Sequence, residues 1–449
     1  MREPLISSGT TQSFNRMSTN NAWSNPLATI CIKITSAICS FLFIGFIFNF
    51  SLCAHIYNSY ILRENIGKIR DLESSPQSIA YPQDIKIKVT SDLSYYAGLI
   101  GLRLIEYEII TEDGFIITLQ RLYDPNIDEK KRNNSFKPIL LLHGLMQSSG
   151  SFLTSGYKSI AYFLVKNNYD IWLGNNRCGF NPKHVKYNSN NHKMWDWDLD
   201  EMAYYDIPAM IKQIKLIKLN YNGKISIISH SQGTTQTIYL LSNSRKPNNI
   251  IENIDIIDKC VLLAPAIYGG PLLNEKLFIK FMRFLPNGVY EMFFGINSFM
   301  PVLMHMRNLT YKSPMFGLSS YMVFSYLFDW NDYLWDANLR RYHFIFSPVF
   351  VSVKLMKWWL RGQGFAMNKP IISNPDYWFN ENTPELLLVI GGKDDLVNGD
   401  LFINRLMHKE INMKDKWHYV KIPEYSHLDV LWADDIIETI GNSLLEFLK

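Results

Sequence analysis

The chain has 449 residues and a formal net charge of +4; 47% of its residues are hydrophobic, 14% aromatic and 19% charged. That composition excludes disorder along its whole length, and a charge spread without an arginine-rich face or nucleic-acid motif excludes a nucleic-acid partner. Of five cysteines, Cys31, Cys39 and Cys53 lie in or beside one apolar stretch, so there is neither a disulfide framework nor a zinc-type spacing.

Residues 1–33 read as a polar tail. From Ile34 to Ala54 the text ITSAICSFLFIGFIFNFSLCA carries no charged side chain. Its 21 residues, at about 1.5 Å each, match the roughly 30 Å hydrocarbon layer of a bilayer. The polar lead is too long, and the apolar run too long, for a cleaved signal peptide. A membrane-spanning anchor over residues 34–56 is therefore expected. Its orientation is undecided by charge, because Arg16 and Lys33 on one side face Arg63, Lys68 and Arg70 on the other. Glycosylation sequons at Asn133 and Asn308 suit a lumenal domain, whereas a third, at Asn49, falls inside the apolar run.

Residues 57–84 read as a polar connector, and residues 85–449 as one catalytic-size domain. RLIEYEIITEDGFIITLQRL (Arg103 to Leu122) is two β-branched runs joined by Glu112-Asp113-Gly114, a hairpin signal. KPILLLHG is a continuous apolar run stopped by glycine, as in a strand buried on both faces of a parallel sheet. DIWLGN, KISIIS, KCVLLAPA, ELLLVIGG and WHYVKIP repeat the pattern, with helical stretches such as DEMAYYDIPAMIKQIKLIK between them. Such alternation implies an open, mostly parallel sheet with helices on both faces and a site at the carboxyl ends of its strands. The interval from about Ile267 to Pro384 breaks the alternation. It is helical and dense in Phe, Met, Trp and Tyr, which reads as a cap inserted over the strand ends. Its aromatics either form the cap's own core or line an apolar cavity for a fatty substrate.

IISHSQGTTQ (Ile227 to Gln236) places Ser231 after one of these strands and at the start of a helix, where a G-x-S-x-G nucleophile elbow would sit; the first glycine is replaced by Ser229. Acyl transfer by serine also needs a base, a carboxylate to orient it, and backbone donors for an oxyanion. The Gln232 amide, directly after Ser231, is one donor; the Leu145 amide, in the loop after ILLLHG, is the other. Asp394 and Asp395 follow ELLLVIGG, and spacing does not choose between them. The loop after the last strand carries His427. His418 lies within that strand, and His143 and His230 fit positioning roles better than that of the base. The order Ser, Asp, His is that of α/β-hydrolases.

From about Ala97 onward the chain resembles the acid lipase family: lysosomal and gastric lipases of animals and membrane-bound lipases and steryl ester hydrolases of fungi. The resemblance rests on EYEIITEDGFII, LLLHGLMQSSGSF, DIWLGNNRCGFNPKH, SHSQGTTQ, GGKDDLV and IPEYSHLDVLWADD. It implies an α/β-hydrolase fold with a large helical cap. It makes Ser231 the nucleophile, Asp394 rather than Asp395 the acid, His427 the base, and Leu145 and Gln232 the oxyanion hole. The implied activity is hydrolysis of water-insoluble carboxylic esters, triacylglycerols or steryl esters, at a membrane or lipid-droplet surface, needing no metal or organic cofactor. Three departures stand out: Ser229 replaces a usual glycine, Cys178-Gly179 stands where a glycine often follows the arginine of NNR, and the cap has no cysteine for the disulfide of animal members. The same triad would also serve a hydrolase of another ester or thioester, or an acyltransferase. A catalytically silent lipid-binding protein is the third reading.

Overall fold

The computed structural model describes residues 26–61, 80–242, 255–362, 364–374 and 376–449. Most of the expected tail and connector, with Arg16, Arg63, Lys68 and Arg70, lies outside the described residues.

Helix α1 runs Pro26–Ile56, 31 residues, and continues as a π-helical turn over Tyr57–Ile61. At about 1.5 Å per residue it is some 46 Å long, more than a hydrocarbon core requires. The apolar run has two unlike faces. Ile34, Ile38, Phe41, Leu42 and Phe46 are exposed, whereas Ser36, Ser40, Ile47 and Ser51 are buried. Helical spacing puts the buried set along one side, and its three serines let α1 lie close against other helices. The Ser40 hydroxyl donates to the Phe293 carbonyl at 2.5 Å, and the Phe43 and Phe294 rings meet edge to face at 5.4 Å.

Among the described residues the sheet has nine strands: β1 (Arg103–Ile110), β2 (Phe115–Tyr123), β3 (Pro138–Leu142), β4 (Asp170–Asn175), β5 (Lys183–His184), β6 (Ile225–His230), β7 (Ile257–Leu263), β8 (Glu385–Gly391) and β9 (Trp417–Ile422). Their order is β1-β2-β4-β3-β6-β7-β8-β9, with β5 beside β2. β1 and β2 form the antiparallel hairpin expected around Gly114, whose φ of 93° fits glycine. From β4 through β9 every pairing is parallel. The central strands are rich in aliphatic side chains because both of their faces are covered: every residue of β3 and β6 is buried. Burying each such side chain contributes roughly 1.5–3 kcal/mol. The covering helices are α2 (Ile160–Lys166), α3 (Ile207–Ile217), α4 (Gln232–Leu241), and, at the far end of the chain, α10 (Gly399–His408) and α11 (Ile436–Leu448).

Between β7 and β8 the chain leaves the sheet and builds the cap from α5 (Leu277–Phe284), α6 (Asn287–Phe294), α7 (Pro301–Thr310), α8 (Pro314–Phe328) and α9 (Val353–Arg361). α1 lies against α6, α7 and α8. All five cysteines are free.

The NNR stretch closes the loop after β4. Arg177 is buried, its Nη1 2.7 Å from Asp113 in the β1–β2 turn and its Nη2 2.8 Å from Asp206 just before α3. One planar cation thus joins three segments that are distant in sequence, with a geometry that lysine could not match. Cys178 beside it is buried, and burial drives its thiol well above the ordinary range.

Candidate active site

β6 ends at His230, and Ser231 turns sharply with φ 51° and ψ −118° before α4 begins at Gln232. A positive φ on serine costs on the order of 1–3 kcal/mol, so surrounding contacts must enforce it. They are visible. The Ser231 amide donates to the Leu263 carbonyl at 3.0 Å. Thr234 Oγ1 donates to the Ser231 carbonyl at 2.5 Å and accepts the Ala266 amide at 2.9 Å, tying the turn to the exit of β7. Helix α4 also comes very close to β3, since a Cβ on Gly233 would lie 2.6 Å from the Leu142 carbonyl oxygen. Ser229 is buried, with its hydroxyl 3.4 Å from the Val261 carbonyl. Its side chain is therefore taken up against β7, and the tight approach of helix to sheet falls at Gly233.

The loops after β8 and β9 supply the other two groups. Gly391 and Gly392 let these loops touch: Cβ atoms there would come within 2.4 Å of the Tyr425 carbonyl oxygen and 2.7 Å of Pro423. Asp394 Oδ1 accepts the Leu396 and Val397 amides at 3.1 and 3.2 Å, which fixes its carboxylate, and its Oδ2 accepts from His427 Nδ1 at 2.7 Å. With Nδ1 carrying the proton, Nε2 is the acceptor, and the Ser231 hydroxyl donates to it at 2.8 Å. The His427 and Asp394 side chains are each only 2% exposed, so the chain of hydrogen bonds is shielded from water. Asp395 is exposed, and partial burial and the Asp394 charge raise its carboxyl above the usual range.

β3 and β6 are parallel neighbours, with Leu142 in register with Ser229. Leu145 and Gln232 therefore leave the same sheet edge. Among the described residues neither backbone amide has an acceptor, the condition a donor must meet to receive a substrate oxygen. Gln147 buttresses this edge. Its Oε1 accepts the Gly144 amide at 3.1 Å and lies 3.1 Å from His230 Nδ1. His230 Nε2 is in turn 3.2 Å from the His427 carbonyl oxygen. Burial and the neighbouring His427 hold His230 well below the ordinary imidazole range, so its neutral ring donates to one of these oxygens and merely touches the other. His143 is fully buried and pushed down to about 4 by desolvation. His418 lies in β9, its ring packed against Phe447.

The cap closes over this edge through three tryptophans. The Trp330 indole stacks on the His427 imidazole, 5.5 Å between centroids and 12° between planes. Trp335 Nε1 donates to Asp429 Oδ1 at 2.6 Å. Asp429 Oδ2 receives the Ser426 amide at 2.5 Å and the Ser426 hydroxyl at 2.7 Å, next to His427. Trp359 Nε1 donates to Gln232 Oε1 at 2.8 Å. Asp429 is buried, and desolvation raises its carboxyl to about 6. The sequence carried signals for the triad but none for Gln147, Asp429 or these tryptophans. Gln147 and Asp429 lie within the motif stretches LLLHGLMQSSGSF and IPEYSHLDVLWADD, but no pattern there gives them a role, and among so many cap aromatics nothing in spacing marks which turn inward.

Comparison with known proteins finds relatives of this chain. A family described as "alpha/beta hydrolase fold" matches residues 137–296, and one described as "Partial alpha/beta-hydrolase lipase region" matches residues 93–156. The chain is 42% identical to "Sterol esterase 2" of Saccharomyces cerevisiae over 417 residues, covering 84% of this chain and 75% of that protein. It is 27% identical over 367 residues to a "Probable lipase" of Schizosaccharomyces pombe, covering 78% of each. It is 25% identical over 391 residues to the "Gastric triacylglycerol lipase" of Homo sapiens, covering 81% of this chain and 92% of that one.

Proposed function

We propose that this chain, which belongs to the α/β-hydrolase lipase family and is a carboxylic ester hydrolase of lipid substrates, works through Ser231, His427 and Asp394. His427 Nε2 takes the proton of the Ser231 hydroxyl as Oγ attacks the ester carbonyl. The Leu145 and Gln232 amides hold the oxyanion. His427 then returns the proton to the leaving alcohol oxygen, leaving an acyl-enzyme. Water, deprotonated by the same nitrogen, attacks the acyl carbon, and the fatty acid departs as Ser231 recovers its proton. Asp394 holds the imidazole in one tautomer and stabilises its cationic form.

The observation that carries this reading is the unbroken run from Asp394 Oδ2 through both ring nitrogens to Ser231 Oγ, at 2.7 and 2.8 Å. The substrates we assign are steryl esters and triacylglycerols, supported by the 42% identity to a sterol esterase and the likeness to triacylglycerol lipases. α1 anchors the enzyme to a membrane, that of the endoplasmic reticulum, the plasma membrane or the surface of a lipid droplet. Its exposed face of Ile34, Phe41, Leu42 and Phe46 supports that reading.

Ser231→Ala and Asp394→Asn test the assignment. Each should leave thermal unfolding unchanged while cutting kcat on cholesteryl oleate, by some four orders of magnitude for Asp394→Asn. Undiminished turnover in Ser231→Ala would refute the nucleophile.

A further inference from the structure

A cavity of about 380 Å³ lies where α1 ends against the cap. Ser51, Ala54 and His55 of α1 form one wall, with Tyr321 and Ser325 of α8 across from them and Trp330 beside them. Trp330 is the residue whose indole covers His427. Trp330 therefore stands both in the cavity wall and, through its ring, over the triad. Its Nε1 is buried with no hydrogen-bond partner, although most buried indole N–H groups find one. What holds it is modest. The Ser325 hydroxyl donates to the Trp330 carbonyl at 2.5 Å, and the ring stacks with Phe324 and Phe328. The chain just before it, at Asp329, is in the left-handed region at φ 53°.

The outer wall is as telling as the inner one. Ser51 and Ala54 belong to the helix whose other face offers Phe41, Leu42 and Phe46 to the surroundings. The cavity therefore sits between the element that contacts lipid and the ring that covers the base, and 380 Å³ is within the range that takes part of a small molecule. Its lining is mostly polar, with hydroxyls, an imidazole and the Lys276–Asp329 ion pair set beside the apolar flanks of Met322 and Trp330. The polar groups are placed to meet an ester linkage, and the apolar flanks its chains.

We propose that this cavity is the portal by which a lipid ester passes from the membrane to Ser231, walled by the end of α1 and closed on the inside by the Trp330 indole. The proposal rests on the lipid ester hydrolase reading given above. It makes α1 part of the substrate path as well as an anchor.

The test uses the full-length protein reconstituted in phosphatidylcholine vesicles that contain cholesteryl oleate, with p-nitrophenyl acetate in the water as a second substrate. Ala54→Trp, in α1, and Ser59→Trp, in the π-helical turn that follows it and also lines the cavity, fill it from this side. Leu42→Trp alters only the exposed face and should leave both rates as they were. In the two filling variants, kcat/KM on cholesteryl oleate should fall at least fivefold relative to that on p-nitrophenyl acetate. An unchanged ratio in both would overturn the portal. Should a filling variant fail to fold, Ser231→Ala protein bound to a diazirine-bearing cholesteryl ester decides the matter. Photolabel within residues 51–59 or 321–333 supports the portal, and label confined to other segments overturns it. Failure of the underlying reading looks different: the unmodified protein would then cleave p-nitrophenyl acetate but not cholesteryl oleate.

Discussion

The two halves of the active site are held in different ways. On the sheet side, the turn at Ser231 is set by backbone: an amide bonded to β7, a glycine pressed on β3, and a threonine bridging two strand exits. On the cap side, the structure depends on single side-chain contacts, an indole to Gln232, an indole to Asp429 and a ring laid on His427. Chemistry demands fixed distances and gets them from elements that cannot move without breaking the sheet. Admission of a bulky substrate demands an opening, and contacts worth about 1 kcal/mol each can open.

Substitutions can break or sharpen that contrast, and the largest effect belongs to the sheet side. Gly233→Val puts a branched side chain where even a Cβ meets the Leu142 carbonyl at 2.6 Å. Displacing the elbow should lower kcat/KM on p-nitrophenyl acetate at least about a hundredfold; a rate within twofold of the parent would show that the close approach is dispensable.

Asp429, at the seam between the halves, comes next. Its folded pKa of about 6 exceeds the unfolded carboxyl value of about 3.9, so the folded state binds a proton that the unfolded chain releases. Its contribution therefore favours the fold as pH drops from about 6 to about 4, and is lost above about 6. The groups around it are Ser426 and Trp335, with the Asp394 charge adding to the upward shift. Thermal unfolding of the parent and of Asp429→Asn, measured across this range, should diverge by roughly 2–3 kcal/mol in pH dependence. Parallel curves would remove Asp429 as the titrating group.

Trp359→Phe probes the cap side alone. It deletes the N–H that reaches Gln232 Oε1, at a cost of about 1 kcal/mol in stability, and should change kcat on p-nitrophenyl acetate only a few fold. A loss as deep as that in Gly233→Val would erase the distinction between the halves. Ser229→Gly is expected to have the smallest effect, with equal turnover in both forms, because the Ser229 hydroxyl is absorbed against Val261 and the helix makes its close approach elsewhere. A faster glycine form would show that the hydroxymethyl group does press on the elbow.

This contrast also explains what could be read from sequence. Strands such as ILLLHG and ELLLVIGG announce themselves through local composition, and the order of loops follows from alternation, so Ser231, Asp394 and His427 were legible as candidates on the right elements. Leu145 and Gln232 followed from their place beside those strands. The cap was legible only as a helical, aromatic interval. Which aromatic faces the base depends on packing between α8 and the loop at His427, residues some hundred positions apart, and no local pattern encodes that. The apolar run was likewise legible as membrane-spanning in length, but not as two-faced. Its serines look incidental in sequence and become an interface only when α6 and α8 arrive.

That arrival is late. Ser40 and its partner Phe293 are separated by 253 positions, and synthesis adds about 5–20 residues per second. For roughly 13–50 seconds after α1 leaves the ribosome, its hydroxyl-bearing face has no cap to meet. During that interval α1 must rest in lipid or against another holder with the Ser40 hydroxyl still without its Phe293 acceptor, while Ser51 already donates to the Ile47 carbonyl within α1. Docking of the cap then completes a helix interface begun at the opposite end of translation.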